Sequence, residues 1–526
     1  MNRASDASLV TGPSVAGIPY RYLALATVSF GVFLSTMDNS IVNVALPTLA
    51  AEFNSTVDNV LWISLTFILV SVGLGLSMGR LGDLYGRKRL YVAGFALFTV
   101  ATAFASVAQS LEMLLAARVV QGVGGSMLAS NGSAIITASF PASQRGKALG
   151  IMGGTVGAGL AAGPVLGGVL VDVLDWRALF YTRIPLGLIG SLLVWRLLRD
   201  SPAEQRPRGL DLPGSVLLFG MLFALVLAVN RGDNWGWNSP IIIALFAGGT
   251  IMVATFILQE RRAASPVVDL ALFKSRGFSA AILTSTLQFV GMAGLFILLP
   301  FYLIQARGFS QLETGGIMAA MPLTMFVVAP LSGILADRIG PRFLTTLAMA
   351  LVAGGLLLMS TVQLDTSVLS IIGRLIAIGI GTAIFQSPNT SAVMGSVLPQ
   401  RLGTAAASAT TSRTMGQAIG VAVAGALFAA QSGAFSRSRA GLGLDEATLS
   451  AEALVSGLEL AFLVGAAITA LGIFTAWMRG SAPPVVVGAA GPGTTAARSQ
   501  PSSPPVPIVA IERRAPQRGA APGGGG

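Results

Sequence analysis

Cysteine and histidine are absent from this chain of 526 residues, and its only lysines are Lys88, Lys147 and Lys274. The first two absences exclude thiol chemistry, imidazole bases and the usual zinc sites. Any proton that the protein handles must therefore move through carboxylates. Charge of either sign is also scarce, since Asp, Glu, Lys and Arg make up 10% of the residues, against roughly 25% in a soluble domain. The composition excludes a soluble globular protein.

Apolar residues are abundant instead: 53% of the chain is hydrophobic, and the mean hydropathy is +0.75. A helix needs about 20 mostly apolar residues to cross a bilayer. The segments of that kind, numbered here as predicted helices 1 to 14, cover residues 22–46, 60–79, 89–109, 113–138, 147–171, 178–198, 212–230, 239–259, 279–304, 314–337, 343–363, 368–396, 403–430 and 454–478. The sequence thus predicts an all-α integral membrane protein that crosses the lipid bilayer about fourteen times.

The basic residues orient these helices. Most arginines and lysines of the connecting loops follow even-numbered helices, and loops enriched in this way face the cytoplasm. An even number of crossings then places both termini in the cytoplasm. The net charge of +11 has the same source, so it gives no reason to expect nucleic-acid binding. Few lysines beside abundant alanine and glycine indicate a GC-rich bacterial genome, and hence a bacterial cytoplasmic membrane.

The chain also repeats itself. A loop motif at 79–86, after helix 2, reappears at 333–340, after helix 10, and an arginine within a helix follows each copy, namely Arg118 and Arg374. This pattern predicts two pseudo-symmetric six-helix bundles, with a substrate path between them. The predicted organisation is a cytoplasmic N-terminal tail at 1–21, a six-helix bundle at 22–200, two inserted helices at 201–260, a second six-helix bundle at 261–478 and a disordered cytoplasmic tail at 479–526.

The repeated loop motif combines glycines, a carboxylate and basic residues. Gly82 and Gly86 allow a tight chain reversal, and Asp83 and Arg87 are four residues apart, so that one helical turn would let them pair. Two interpretations stay open: a positively charged membrane anchor, or a latch between helices that opens and closes. The carboxylate and its recurrence favour the latch. The predicted cytoplasmic gate consists of Gly79, Asp83, Gly86, Arg87, Lys88 and Asp337.

Helix 5 is unusually rich in glycine around Pro164. Gly159, Gly163 and Gly167 recur at every fourth residue, a spacing that lets two helices touch backbone to backbone. Proline favours a bend, which neighbouring helices must compensate in lipid. Tight helix contact alone would explain the pattern, but its density favours a pivot. The predicted hinge residues are Gly157, Gly163, Pro164, Gly167 and Gly168.

Charges inside the apolar spans are few, and each costs about 2.5 to 3.5 kcal/mol at mid-membrane. Asp38 in helix 1 is the clearest case, because a desolvated carboxylate can exchange protons near neutrality. A buried aspartate satisfied by neighbouring hydroxyl and amide groups is the alternative. Arg118 must find an acceptor, for which Asp38 is the candidate. The residues predicted for proton coupling or for the substrate cavity are Asp38, Asn43, Arg118, Gln121, Arg374 and Arg413.

Taken together, these stretches resemble the signature motifs of the major facilitator superfamily. Residues 79–90 resemble its cytoplasmic loop motif, and 118–125 resemble the helix 4 motif associated with proton transfer. Residues 157–168 are similar to the helix 5 motif that separates exporters from symporters. Residues 38–47 and 266–278 resemble segments of the fourteen-spanner drug:proton antiporter family within that superfamily.

The sequence departs from this family at three places. Arg183 stands where the family usually has asparagine, and the extra cation favours anionic or neutral substrates. Pro341 replaces the first basic residue of the second loop motif, which predicts a weaker second gate. Helix 10 has no acidic residue in its interior, and this argues against dicationic substrates.

The resemblance implies a proton-coupled antiporter that exports drug-like or antibiotic small molecules by alternating access. Its implied partners are the substrate, protons and the bilayer; its energy source is the proton gradient, without a cofactor, and it is expected to act as a monomer. A proton-linked importer of a nutrient is the nearest rival, although it would not need the helix 5 pattern. An enzyme or a sensor would need a catalytic constellation or a soluble output domain, and neither is visible.

Overall fold

The computed structural model describes residues 18–199, 211–263, 268–339, 341–397, 402–439 and 445–478. Within these residues it has fourteen helices that are long and apolar enough to cross a membrane, as the sequence predicts. They are α1 (Tyr20–Glu52), α2 (Val57–Tyr85), α3 (Arg87–Ser106), α4 (Leu111–Ser139), α5 (Ala142–Val173), α6 (Ala178–Leu197), α7 (Leu212–Trp235), α8 (Pro240–Arg262), α9 (Arg276–Ala306), α10 (Gln311–Ile339), α11 (Pro341–Met359), α12 (Val368–Gly395), α13 (Leu402–Arg439) and α14 (Glu446–Trp477). The two predicted tails lie outside the described residues, apart from 18–21.

Short connections make successive helices run in opposite directions, as in other helical bundles. Consequently α1 begins and α14 ends at the same face of the molecule. We call this the near face, and the face where α1 ends at Glu52 the far face. Several helices begin at a serine or aspartate whose side chain accepts a hydrogen bond from a free backbone N–H group, for example Ser110 before α4 and Asp211 before α7.

Some helix boundaries differ from the sequence prediction. Helix α1 continues through Pro47 to Glu52, because proline still fits a helix whose freed carbonyl can be compensated nearby. Asp38 therefore lies about four turns from the end of α1, whereas a helix that ended at residue 46 would have placed it two turns away. Likewise α2 extends to Tyr85, so most of the motif at 79–86 is helical and the chain reverses only at Gly86.

The inserted helix α7 is attached to α2 of the first bundle, α1 to α6, by side-chain hydrogen bonds. The indole N–H of Trp62 on α2 donates to Asn230 Oδ1 on α7 at 2.7 Å. Nearer the far face, Arg231 donates to Asn59 Oδ1 at 2.8 Å. Buried polar contacts of this kind replace hydrogen bonds that lipid cannot supply. They fix α7 against α2 along the far-face half of both helices.

Candidate coupling site in the first bundle

Asp38 lies in the interior of the first bundle with none of its surface exposed. Arg118 of α4 is equally buried, and its Nη1 donates to Asp38 Oδ2 at 2.6 Å. The contact that the sequence suggested between these two residues is therefore present. A second guanidinium, that of Arg183 on α6, donates to the other carboxylate oxygen, Oδ1. We refer to Asp38, Arg118 and Arg183 as the charge cluster.

Arg118 is held by more than the carboxylate. Its Nε donates to the carbonyl of Ile63 at 3.0 Å, and its Nη1 also donates to Gln121 Oε1 at 2.9 Å. The Gln121 amide then donates to Thr102 Oγ1 at 2.7 Å. The ring of Phe67 lies 4.7 Å from the guanidinium carbon, a distance at which a cation and an aromatic face attract each other. Four helices, α1 to α4, thus meet at this arginine.

Asn43 lies outside the charge cluster. Its Oδ1 accepts a hydrogen bond from the Ser64 hydroxyl at 2.7 Å, which joins α1 to α2 closer to the far face than Asp38. Both residues are buried. The structure brings Asp38, Arg118 and Gln121 together, while Asn43 forms a separate contact between two helices.

The second bundle, α9 to α14, contains no counterpart of the charge cluster among its described residues. Arg374 was expected inside the membrane, but it lies in the second turn of α12, near the far face, and donates to the carbonyl of Leu358 at 2.6 Å. Arg413 of α13 is half-buried, with Gln386 Oε1 at 3.5 Å. The expectation that Arg374 is a buried cation is wrong: α12 begins at Val368, as predicted, and a residue in its second turn lies near the far face and is only half-buried. The sequence repeat thus locates Arg374 along the chain but does not predict which groups it contacts.

Arg183 is the residue of this site that the motifs missed. Sequence alone placed it near the outer end of helix 6, as a departure from a family pattern. The structure puts it at the start of a regular helix, Arg183–Leu197, with 3% of its surface exposed. One signal in the sequence could have suggested Asp38 as the partner of Arg183: the predicted helices 2, 4, 5, 6 and 9 contain no acidic residue.

At the near face, the expected pair is formed. Arg87 Nε donates to Asp83 Oδ1 at 2.8 Å, and Arg87 Nη1 donates to the carbonyl of Ala134 on α4 at 3.3 Å. Gly86 has a φ of 100°, a conformation that favours glycine, and it makes the turn between α2 and α3. Lys88 lies in the first turn of α3.

Other glycines of this motif have a different role from the predicted turn. Gly79 and Gly82 lie within α2. Gly82 allows α4 to approach, because a Cβ there would collide with Asn131, whereas a Cβ on Gly79 would make an ordinary contact, 3.5 Å from Ser130 Cβ. The second copy of the motif ends with α10. Asp337 is in the last turn of that helix, and its side chain lies outside the described part of the structure.

The glycines of α5 divide into two groups. Gly159, Gly163 and Gly167 face α1: an added Cβ would lie 3.0 Å from the Phe33 carbonyl oxygen, 2.5 Å from Ser40 Cβ and 2.9 Å from Ile41 Cγ1, respectively. The expected contact between helix backbones is therefore present. Towards the near face, a Cβ on Gly157 would meet no described atom within 4 Å.

The other side of α5 touches the second bundle. The backbone of Gly168 approaches that of Gln311, and the carbonyl of Pro164 approaches Gly315, both on α10. The carboxylate of Asp172 accepts hydrogen bonds from the backbone N–H groups of Gln311 and Leu312 at 3.2 and 2.8 Å. An aspartate of one bundle thus caps the first helical turn of the other, at the far face.

The fold and this site define a membrane transporter in which, among the described residues, the fully buried ion pairs lie in the first bundle. Residues 28–421 match the family described as Major Facilitator Superfamily, and the chain belongs to that family. Its relatives place it among the drug-efflux transporters of the superfamily, a family of transporters rather than enzymes.

The chain is 32% identical to the riboflavin transporter RibZ of Clostridioides difficile, over 78% of this chain and 88% of that protein. It is 31% identical to the tetracenomycin C resistance and export protein of Streptomyces glaucescens, over 78% and 76%. It is 32% identical to the multidrug resistance protein Stp of Mycobacterium tuberculosis, also over 78% and 76%.

Among solved structures, the fold is similar to that of a bacterial homologue of the human lysosomal transporter Spinster, in an inward-facing and unoccupied conformation. The TM-score is 0.65 at 16% sequence identity, over 88% of this chain and 97% of that one. This likeness concerns the fold.

Proposed function

We propose that the chain is a proton-coupled antiporter that exports drug-like or antibiotic small molecules by alternating access. The observation that carries this proposal is the ion pair of Asp38 and Arg118, buried in the interior of the first bundle. Relatives named for antibiotic export and multidrug resistance support the substrate class. The glycine contacts of α5 with both α1 and α10 support a rocking movement about that helix.

In this mechanism a proton neutralises Asp38 and weakens its hold on Arg118. Because Arg118 also bonds α2 through the Ile63 carbonyl and α3 through Gln121 and Thr102, its release loosens several helices together. Rocking of the bundles then changes the side to which the substrate path opens. One charge that moves through 100 mV contributes about 2.3 kcal/mol, or roughly fiftyfold in substrate gradient.

We further propose a bacterial cytoplasmic membrane location, with the near face and both termini in the cytoplasm, and a monomer as the working unit. The absence of cysteine makes the orientation easy to test. A single cysteine at Ser55, between α1 and α2, should react with a membrane-impermeant maleimide in intact cells. One at Lys88 should react only after permeabilisation, and the reverse result would invert the topology.

The function is tested in a bacterium that lacks its major exporters, by measuring resistance and dye efflux across a compound panel with and without an uncoupler. Efflux should be sensitive to the uncoupler and lost in Asp38→Asn and Arg118→Ala variants that are present at normal levels. The control is Glu52→Gln, the same chemical change on the same helix, where the carboxylate is 42% exposed and 3.4 Å from Arg177. Unimpaired efflux in Asp38→Asn would place the coupling carboxylate elsewhere.

Uptake of a nutrient or metabolite with protons is the second candidate. A relative named as a riboflavin transporter favours it. The same cells distinguish the two functions: a compound that accumulates inside cells expressing the protein, in an uncoupler-sensitive way, supports import. Neutral and anionic compounds belong in both panels, because Arg183 and the lack of a carboxylate in the interior of α10 favour them over dications.

A further inference from the structure

Arg183 changes the charge balance around Asp38. Its guanidinium takes one carboxylate oxygen while Arg118 takes the other, so the charge cluster has one excess positive charge whenever Asp38 is ionised. Each arginine also keeps an Nη2 group that is buried and has no hydrogen-bond acceptor among the described residues. A buried cation without a full set of acceptors is costly, so both guanidiniums depend on the same carboxylate.

Other ionisable groups are too far along their helices to share this charge. In α2, α4, α5, α6, α9 and α10, which contact α1, all charged residues other than Arg118 and Arg183 lie within two turns of a helix end. The stretch of α5 against Asp38 contributes Gly159 and Gly163. On α3, the titratable Tyr91 donates to the carbonyl of Val28 at 3.2 Å, almost three turns before Asp38. Within the described residues, Asp38 therefore responds mainly to its two arginines.

Arg183 cannot move away on its own, because α6 is fixed against α3. Gly187 and Gly190 of α6 lie so close to Thr99 and Phe95 of α3 that neither could bear a Cβ. Just before Arg183, the Thr182 hydroxyl donates to the Ala178 carbonyl at 2.6 Å. The guanidinium is thus presented to Asp38 by the start of a helix that packs closely against α3.

We propose that Arg183 is a positioning residue for proton coupling: it holds Asp38 together with Arg118, so that two ion pairs must break before the carboxylate is released. This inference rests on the proposed antiport function. It also means that a proton on Asp38 releases α6 from α1 at the same time as α4. Coupling would then involve the far-face end of the first bundle as well as its centre.

The test uses the full-length protein in lipid vesicles, with Arg183→Gln, Arg183→Asn and Arg183→Lys variants. Infrared difference spectra report the protonated carboxyl band of Asp38, identified by its loss in Asp38→Asn. A charge-assisted hydrogen bond is worth about 1.5–3 kcal/mol, so the band should appear about one to two pH units higher in Arg183→Gln and Arg183→Asn than in wild type. Arg183→Lys keeps the charge but not the planar guanidinium contact, so its band should appear at a pH between that of wild type and that of the two neutral variants.

Arg177→Asn is the matched control, because this neighbouring arginine is partly exposed and pairs with Glu52 instead of Asp38. It should leave the Asp38 band unchanged. An unshifted band in both neutral Arg183 variants would overturn the inference, as would a shift of equal size in Arg177→Asn. If the neutral variants do not fold, the Arg183→Lys spectrum still decides: ammonium cannot reproduce the planar guanidinium contact, so an unchanged band there counts against the proposal.

Efflux measurements distinguish a failure of this inference from a failure of the proposed function. If Asp38→Asn retains uncoupler-sensitive efflux, the proposed function of the site is wrong, whatever Arg183 does. If Asp38→Asn abolishes that efflux while the Arg183 variants keep the wild-type pH profile of both efflux and the carboxyl band, only the role of Arg183 is wrong.

Discussion

The two bundles use the same helix contacts but different charges. In the first bundle, α5 meets α1 through Gly159, Gly163 and Gly167; in the second, α13 meets α9 through Gly416 and Gly420, which approach the backbone carbonyls of Thr286 and Val290. Both pairs rely on glycines four residues apart, and each pair joins the first helix of a bundle to its fifth. The two bundles therefore share the same kind of close helix contact at equivalent positions.

Charge shows the opposite pattern. Arg118 is fully buried against Asp38, whereas Arg374, its counterpart in the repeat, bonds a carbonyl near the far face. Arg413 faces an amide oxygen rather than a carboxylate. The comparison teaches that a duplicated scaffold can keep the same helix contacts in both halves while, among the described residues, a buried cluster of a carboxylate and two arginines forms only in the first.

The largest difference in efflux should appear between variants of the two arginines of the repeat, Arg118 and Arg374. Arg118→Gln loses a charge-assisted hydrogen bond to Asp38, a kind worth about 1.5–3 kcal/mol. It should therefore lower uncoupler-sensitive efflux about tenfold to a hundredfold, since about 1.4 kcal/mol is tenfold. Arg374→Gln loses one hydrogen bond, worth about 0.6 kcal/mol inside a membrane protein, and should lower efflux about threefold or less. Efflux is measured per amount of protein in the membrane.

A comparable loss in both variants would break the comparison, because it would show that the second bundle also carries an essential charge. Arg413→Gln is the informative third variant. An effect closer to that of Arg374→Gln would confine coupling to the first bundle, and one closer to that of Arg118→Gln would extend it to α13.

A smaller effect should come from the glycines that the bundles share. Methyl groups at crowded positions cost about 1–3 kcal/mol. Gly163→Ala and Gly420→Ala should both lower the midpoint of thermal unfolding of the purified protein by several degrees, about 2–4 °C per kcal/mol. Gly157→Ala is the control, since its added Cβ would meet no described atom within 4 Å. Destabilisation in only one bundle would mean that the repeat is less symmetric than its backbone contacts indicate.

Much of this architecture follows from the sequence. Runs of apolar residues near the length of a bilayer predict each span, and the glycine period of α5 predicts a close helix contact. The ion pair of Asp38 and Arg118 was predictable because few buried charges were present to pair. Asp83 and Arg87 were predictable for a simpler reason, since they lie one helical turn apart.

Contacts between distant helices were not predictable in the same way. Arg183 could be recognised as unusual, but its approach to Asp38 depends on how closely α6 lies against α3. Nor does sequence tell that Asp172 caps α10, because that contact joins residues of different bundles. Tertiary position decides these two cases. Arg374 shows a different error: the repeat suggested a buried cation, although the predicted start of helix 12 at residue 368 already placed it in the second turn.

The smallest effect should come from the loop motif at the near face. Asp83 and Arg87 form a partly exposed pair of residues one turn apart, a kind worth about 0.3–0.5 kcal/mol. Asp83→Asn should thus change the free energy of unfolding by less than about 1 kcal/mol, and Arg87→Gln somewhat more, because Arg87 also bonds the Ala134 carbonyl. Urea unfolding of the purified protein measures both.

Efflux then distinguishes the anchor from the latch. If the motif is a latch, Asp83→Asn reduces efflux severalfold while stability is unchanged, and exchanging the two charges in Asp83→Arg with Arg87→Asp restores part of it. If the motif is only an anchor, Asp83→Asn transports normally and the exchanged pair changes little. Pro341 replaces the basic residue in the second copy, so Asp337→Asn should have a weaker effect than Asp83→Asn. Equal effects would mean that the second bundle has a near-face gate as strong as the first.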